Sequence, residues 1–139
     1  MDYPSSRFNK VLATQTASSA VWVARGDALA RLGRYTEALV SFDEALKAAP
    51  NDCAAWVFRG VVLIHLERYQ EALLSCDKAL EIQPAHSESW VFRGAALHRL
   101  DRYQEAYACY RRALGIERRS LWQSWMTALR KVCVWFVSR

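Results

Sequence analysis

A five-residue segment that begins with tryptophan occurs three times along this chain, at a fixed interval of 34 residues. The three copies are Trp22-Val23-Ala24-Arg25-Gly26, Trp56-Val57-Phe58-Arg59-Gly60 and Trp90-Val91-Phe92-Arg93-Gly94. The same interval relates tyrosines at 35, 69 and 103, alanines at 38, 72 and 106, and prolines at 50 and 84. A period shared by so many positions predicts a stacked array, in which each repeat buries its apolar face against its neighbours.

These positions resemble the tetratricopeptide repeat, whose pattern is tryptophan, leucine-glycine, an aromatic residue, spaced small residues, a second aromatic residue and proline. The resemblance covers Ser19 to about Arg118. It implies an all-α fold, an α-solenoid of three helix-turn-helix repeats that forms a right-handed superhelix and ends in a capping helix. A fold of this kind implies a binding scaffold but does not name the ligand.

The repeat boundaries divide the chain into three parts. Residues 1–18 are expected to be a partly flexible N-terminal extension, residues 19–52, 53–86 and 87–118 the three repeats, and residues 119–139 the capping helix. Each repeat is predicted to hold two helices. The first helices are Ser19–Leu32, Cys53–Leu66 and Ser87–Leu100, and the second are Tyr35–Ala48, Tyr69–Ile82 and Tyr103–Ile116. Asp52 and Ser87 are suitable N-caps for two of them.

Composition indicates a folded intracellular chain. Of its 139 residues, 53% are apolar, which argues against disorder over most of the length. Residues 1–20 hold no uninterrupted apolar run and no basic leader, and the four cysteines lie far apart without Cys-x-x-Cys spacing. These features predict a reduced, cytoplasmic protein. The net charge of +5 is concentrated in residues 102–139, which hold eight basic and two acidic side chains.

In arrays that this sequence resembles, the first helices line a concave face, and the residues just after the tryptophan point into it. On that basis a groove would carry Val23, Asp27, Val57, Phe58, Val61, Ile64, Val91, Phe92, Ala95 and His98. This set is mostly apolar. Family members that grip a terminal carboxylate use lysine, arginine and asparagine in this groove, and none of these stands here, so a carboxylate clamp is not expected. The alternative is that the chain's own terminal segments cover these side chains.

Arginines at 25, 59 and 93 form a ladder with the 34-residue step, and glutamates at 37, 71 and 105 recur with the same step. A structural ion pair within or between repeats is the simpler interpretation, because a long arginine stem can pack while its head meets a carboxylate. An anion-binding ladder is the alternative.

The repeat register is lost after Ile116, where the sequence predicts a final helix. Its apolar stripe comprises Trp122, Trp125, Leu129, Val132 and Phe136, with Arg130 and Lys131 opposite. The last residues are apolar on every side, which is more than a cap requires, so Trp135, Phe136 and Val137 are candidates for self-association. A transmembrane span is not expected, because Leu121 to Val137 is too short and holds two central charges.

The sequence shows few residues in patterns typical of catalytic sites. The three histidines form no metal-ligand set, and the five glycines form no phosphate loop. We therefore expect no enzyme activity and no cofactor. Nucleic acid is an unfavoured partner, since the basic pairs near the C-terminus can be a solvated face. The sequence predicts a protein-interaction scaffold that binds an apolar or amphipathic segment in the groove. The alternative is a self-assembly element that forms a homodimer through the C-terminal helix.

Overall fold

The computed structural model describes the backbone of residues 4–115 and 118–137. It describes side chains at 6–115, apart from 8, 12 and 15, and at 125–135. Helices joined by short turns make up this part of the chain. They are α1 (Pro4–Arg31), α2 (Tyr35–Ala48), α3 (Cys53–His65), α4 (Tyr69–Ile82), α5 (Ser87–Arg99), α6 (Tyr103–Ala113) and α7 (Arg118–Val137).

Helices α2 to α6 begin at the predicted residues, but the prediction for the first helix was wrong. Helix α1 begins at Pro4 rather than at Ser19, so it runs through the expected boundary of the N-terminal extension. Proline suits the first turn of a helix, and no further proline or glycine interrupts the chain before Gly26. The hydroxyls of Thr14 and Thr16 donate hydrogen bonds to backbone carbonyls three or four residues earlier, an arrangement that accommodates these residues within a helix.

Two N-caps distinguish the starts of α3 and α5. The carboxylate of Asp52 accepts a hydrogen bond from the backbone N–H of Ala55 at 3.3 Å, which confirms the predicted cap. Ser87, the other predicted cap, is instead the first helical residue. His86 occupies the cap position, and its Nδ1 accepts from the backbone N–H of Ser89 at 3.2 Å.

The helices pair as three hairpins, α1 with α2, α3 with α4, and α5 with α6. Cα atoms of α3 approach those of α1 and α5 within 8 Å, whereas among the described residues α2 does not approach α4, nor α4 α6, this closely. The first helices of the hairpins therefore lie on the inner side of the array, and the second helices lie on the outer side. The core between these layers includes Phe42, Val62, Leu63, Leu73 and Leu97, all of which are buried.

The repeated glycines allow close packing between the two helices of each hairpin. A Cβ at Gly26 would lie 2.7 Å from Cε1 of Phe42, and one at Gly94 would lie 2.6 Å from Cε1 of Tyr110. At Gly60 the nearest atom is Sγ of Cys76, at 3.1 Å. Glycine is therefore required where an aromatic ring faces it, and is less strictly required opposite the smaller cysteine.

The tryptophans join consecutive repeats. The indole N–H of Trp56 donates to the carbonyl oxygen of Pro50 at 2.8 Å, and Trp90 donates in the same way to Pro84 at 2.9 Å. Each tryptophan therefore bonds to the proline that closes the repeat before it.

Two of the three arginines of the ladder, Arg59 and Arg93, form structural ion pairs, but the predicted partners were wrong. Nε of Arg59 lies 2.7 Å from Oδ1 of Asp43, and Nε of Arg93 lies 2.7 Å from Oδ1 of Asp77. Each pair joins one repeat to the next. The predicted glutamates instead pair with arginines three residues earlier, at Arg34–Glu37, Arg68–Glu71 and Arg102–Glu105, with shortest N–O distances of 2.6 Å.

Helix α7 is present, but its described part makes no capping contact. No Cα atom of α7 lies within 8 Å of one in α1 to α6 among the described residues. Every side chain from Trp125 to Trp135 is exposed. The described part of this segment therefore does not form the expected cover over the last repeat, and the side chains of Trp122 and Phe136 lie outside the described residues.

Candidate functional site

A cavity of about 550 Å³ lies on the inner side of the array, where α1, α3, α5 and the end of α6 meet. We call it the groove. Its lining comprises Asp27, Ala30, Phe42, Val57, Phe58, Val61, Val62, Ser87, Glu88, Val91, Phe92, Ala113 and Leu114. Its volume is in the range of ordinary ligand sites.

The structure brings together six of the ten residues predicted for this site. Those that line the groove are Asp27, Val57, Phe58, Val61, Val91 and Phe92. Ile64, Ala95 and His98 line a second cavity of about 340 Å³, together with His65, Glu67, Arg99 and Tyr110. Val23 lines neither and packs half-buried against the core. The predicted set therefore divides between two adjoining cavities, of which the groove is the larger and more apolar.

The repeat pattern itself creates the apolar wall of the groove. Val57 and Val91 follow directly after the tryptophans, and Val61 lies four residues beyond Val57, one helical turn further along the same face. The two valines differ in exposure, because Val57 is only 2% exposed whereas Val91 is 42% exposed. Val57 is thus part of the floor, and Val91 is available for direct contact with another molecule.

Aromatic packing fixes the middle of the groove. The rings of Phe42 and Phe58 stack with centroids 5.8 Å apart and an angle of 27° between their planes. Phe42 is fully buried, while Phe58 keeps 37% of its surface exposed. A large apolar side chain is therefore held by a buried neighbour with one face turned towards solvent. Such a surface can bury a further apolar group without first becoming ordered.

The charged residues of the groove are acidic. Asp27 and Glu88 contribute carboxylates to its lining, and Oδ2 of Asp27 also forms an ion pair with Nη2 of Arg31 at 3.0 Å. No lysine or arginine is among the described residues that line this cavity. Its chemistry therefore suits an apolar segment flanked by basic groups and does not suit an acidic one.

The second cavity is lined by packed aromatic and basic side chains. The His98 and Tyr103 rings meet edge to face with centroids 5.0 Å apart, and the neighbouring Arg99 donates from Nε to the hydroxyl of Tyr69 at 3.0 Å. His98 is therefore an exposed residue with a structural contact, and it lies outside the groove.

Two further cavities lie between repeats on the outer side of the array, of about 940 and 650 Å³. The first contains Arg59 and the second Arg93. Both guanidinium groups are already engaged by carboxylates, as described above, and each also lies over the ring of the tryptophan three residues before it. These arginines stabilise the stacking of repeats, which leaves little capacity for an external anion.

Within the described part of the chain, no group of three or more histidine, cysteine, aspartate or glutamate side chains is arranged to hold a metal ion. Over the same residues, no helix combines the length and apolar character that crossing a membrane requires.

Sequence reasoning missed several lining residues. Phe42 belongs to a second helix, and its core role concealed the fact that it also borders the groove. Glu88 precedes the tryptophan, and Leu114 follows the end of α6, so neither lies in the segment that the resemblance assigned to the concave face. The acidic character contributed by Glu88 was therefore not predicted.

Models of the tetratricopeptide repeat match residues 7–53, 23–87 and 87–120 of the sequence. No curated protein matches the chain. Proteins of this family are generally non-enzymatic interaction scaffolds.

Solved structures share the fold. The Arabidopsis OM64 TPR domain is 28% identical, covers 76% of this chain and 87% of its own, and superposes with a TM-score of 0.72. The first TPR of Spaghetti (RPAP3), bound to the HSP90 peptide SRMEEVD, is 24% identical, with 73% and 81% coverage and a TM-score of 0.71. The second TPR of the same protein, with the same peptide, is 19% identical, with 78% and 99% coverage and a TM-score of 0.74. These similarities confirm the predicted all-α solenoid.

Proposed function

This chain belongs to the tetratricopeptide repeat family, and we propose that it is an interaction scaffold whose groove binds an apolar or amphipathic peptide segment. The observation that carries the proposal is the apolar cavity of about 550 Å³ on the inner side of the array. It is formed by side chains that the core holds in place, so the binding of a partner does not carry the entropy cost of ordering them.

Burial of apolar surface would supply the binding energy. Leu114, Val91 and Phe58 are the large apolar side chains of the groove with the most exposed surface. Each Å² that a partner removes from water contributes about 25 cal/mol before the ordering cost of association. A partner with two or three apolar anchors at helical spacing would match this surface, as in other grooves that bind amphipathic helices.

The acidic lining sets the charge preference of the proposed partner. Two of the structural neighbours were solved with the HSP90 peptide SRMEEVD, in which three of the seven residues are acidic. Here Asp27 and Glu88 would repel such a peptide, and the described lining offers no basic side chain to hold its carboxylates. We therefore infer that the partner is neutral or basic.

A peptide selection would test this function. The full chain, immobilised at low density so that copies do not meet, would be used to select binders from a displayed library of random peptides. The affinity of each selected peptide would then be measured by fluorescence anisotropy on the unaltered chain and on a Val91→Glu variant. We expect apolar or amphipathic sequences, and we expect the variant to weaken binding at least about tenfold, since it places a charge in the apolar contact.

Val40→Glu provides the matched control. Val40 is 60% exposed and lies on α2, outside the groove lining, so this change adds the same charge to another exposed valine. Both variants should keep the helical circular dichroism of the unaltered chain. Peptides that bind equally well to the Val91→Glu variant, or that are lost equally in the control, would refute the groove as the binding site.

A further inference from the structure

Helix α7 presents an apolar surface that nothing in the described part of the array covers. Trp125, Leu129 and Val132 are 70%, 48% and 58% exposed. Exposing three large apolar side chains on one helix is unfavourable in water, and contiguous patches of this kind mark interaction sites. The surface therefore requires an occupant.

The spacing of these residues matches what a groove recognises in a helix. Trp125, Leu129 and Val132 stand at positions i, i+4 and i+7, which places them on one face of α7. Helices that bind in apolar grooves use this set of anchor positions. Seven residues of helix span about 10 Å, which is a short enough anchor to seat in a cavity of about 550 Å³.

The charges of α7 and of the groove are opposite. Over Arg118–Val137 the sequence holds four basic residues and no acidic one. The groove carries Asp27 and Glu88 and, in the described lining, no basic side chain. Complementary charges of this kind favour encounter and orientation more than they add affinity.

On these grounds we propose that α7 of a second copy of this chain occupies the groove. This proposal rests on the groove function proposed above. In the structure α7 does not pack on its own array, since none of its Cα atoms lies within 8 Å of one in α1 to α6 among the described residues. One molecule thus displays both complementary surfaces at the same time. Two copies related by a twofold axis would exchange helices, and each contact would then form twice.

The oligomeric state of the full chain tests this exchange. Sedimentation velocity over a range of concentrations should show a dimer for the unaltered chain. Leu129→Glu on α7 and Val91→Glu in the groove should each raise the dissociation constant at least about tenfold. Val134→Glu is the control, because Val134 is exposed on the side of α7 opposite Leu129 and its change should leave the dimer intact.

Mixing the two defective variants gives the decisive result. A Leu129→Glu chain keeps an unaltered groove, and a Val91→Glu chain keeps an unaltered α7. An equimolar mixture can therefore form one of the two contacts between a groove and α7 that the dimer contains. We expect a heterodimer in the mixture at concentrations where each variant alone is monomeric. Both changes are at exposed positions, so loss of the fold would not account for monomers, and circular dichroism checks this.

Other outcomes would overturn the exchange. A monomer in which a fluorophore on Cys133, the exposed cysteine of α7, changes its emission with Val91→Glu would mean that α7 seats in its own groove. A dimer lost with Leu129→Glu but kept with Val91→Glu would mean that α7 pairs with α7. If the unaltered chain is monomeric and yet selected peptides bind its groove, α7 of a second copy is not the occupant, and only the proposed groove function is supported. If neither dimer nor groove-dependent peptide binding is found, both proposals fail.

Discussion

Replacing Gly26 by alanine should destabilise the protein, whereas the same change at Gly60 should not. The two glycines occupy equivalent repeat positions, but they face different side chains. A Cβ at Gly26 would lie 2.7 Å from the ring of Phe42, while a Cβ at Gly60 would lie 3.1 Å from Sγ of Cys76. Phe42 is 1% exposed, so its ring cannot move outwards without disturbing the core.

The magnitudes come from two opposing contributions. Alanine is more favourable than glycine in a helix by about 1 kcal/mol, and this gain applies at both sites. Overpacking a core position costs about 1–3 kcal/mol, and we assign this cost to Gly26→Ala. The expected net loss is then up to about 2 kcal/mol for Gly26→Ala. For Gly60→Ala we expect a change between neutral and about 1 kcal/mol of stabilisation, since Cys76 needs to shift by only a few tenths of an ångström.

Urea unfolding followed by circular dichroism at 222 nm measures the difference. The two variants should differ by about 2 kcal/mol in the free energy of unfolding, with similar slopes against denaturant. Equal stabilities, or a Gly60→Ala variant less stable than Gly26→Ala, would refute the reasoning that the size of the facing side chain decides the cost.

Three further outcomes are expected. Arg59→Gln should lower the free energy of unfolding by about 1–2 kcal/mol in a urea titration, because the half-buried pair with Asp43 joins two repeats. Arg25→Gln, at an exposed position, should change the free energy of unfolding by less than about 0.5 kcal/mol. Equal losses in the two variants would contradict the pairing of Arg59 with Asp43. The peptide SRMEEVD should show no saturable heat of binding by titration calorimetry up to about 1 mM, because the groove lining is acidic. Burial, assisted by the Asp77 carboxylate, raises the pKa of Cys76 to about 12. At pH 8 the Cys76 thiol should therefore react with a disulfide reagent only after unfolding, while the exposed Cys133 should react in the folded protein. Peptide mapping of the labelled cysteines would distinguish the two.

Much of the fold could be predicted because the repeat encodes it locally. Five helices begin at the predicted residues, and Asp52 caps α3 as its position before an apolar run indicates. The start of α1 could not be read from the repeat, since the pattern has no information before Ser19. Continuity of backbone hydrogen bonding decided it, because only Pro4 and Gly26 among residues 4–26 disfavour the interior of a helix.

The candidate site was predicted only in outline. Periodicity identifies which side chains share a helical face, and six of ten predicted residues line one cavity. It does not determine how far neighbouring helices approach, so it could not show that Val57 lies on the floor while Val91 remains open. Nor could it place Glu88 in the same cavity as Asp27, since these residues belong to different repeats and share a cavity only through stacking.

The arginine ladder shows most clearly the difference between what a sequence period indicates and what the packing of the repeats determines. The sequence by itself determined that arginine recurs every 34 residues beside a packing glycine, together with acidic residues at the same interval. Three sets of acidic residues have that spacing, namely Glu37, Glu71 and Glu105, then Asp43 and Asp77, then Glu67 and Asp101, and a period cannot choose between them. Tertiary structure decided the partners, because stacking places Asp43 and Asp77 of one repeat against the arginine of the next, while Glu37, Glu71 and Glu105 stay close to arginines in their own turns. The same holds for α7: its pattern predicted an amphipathic helix, and only the tertiary structure showed that the described part of the chain leaves Trp125, Leu129 and Val132 exposed.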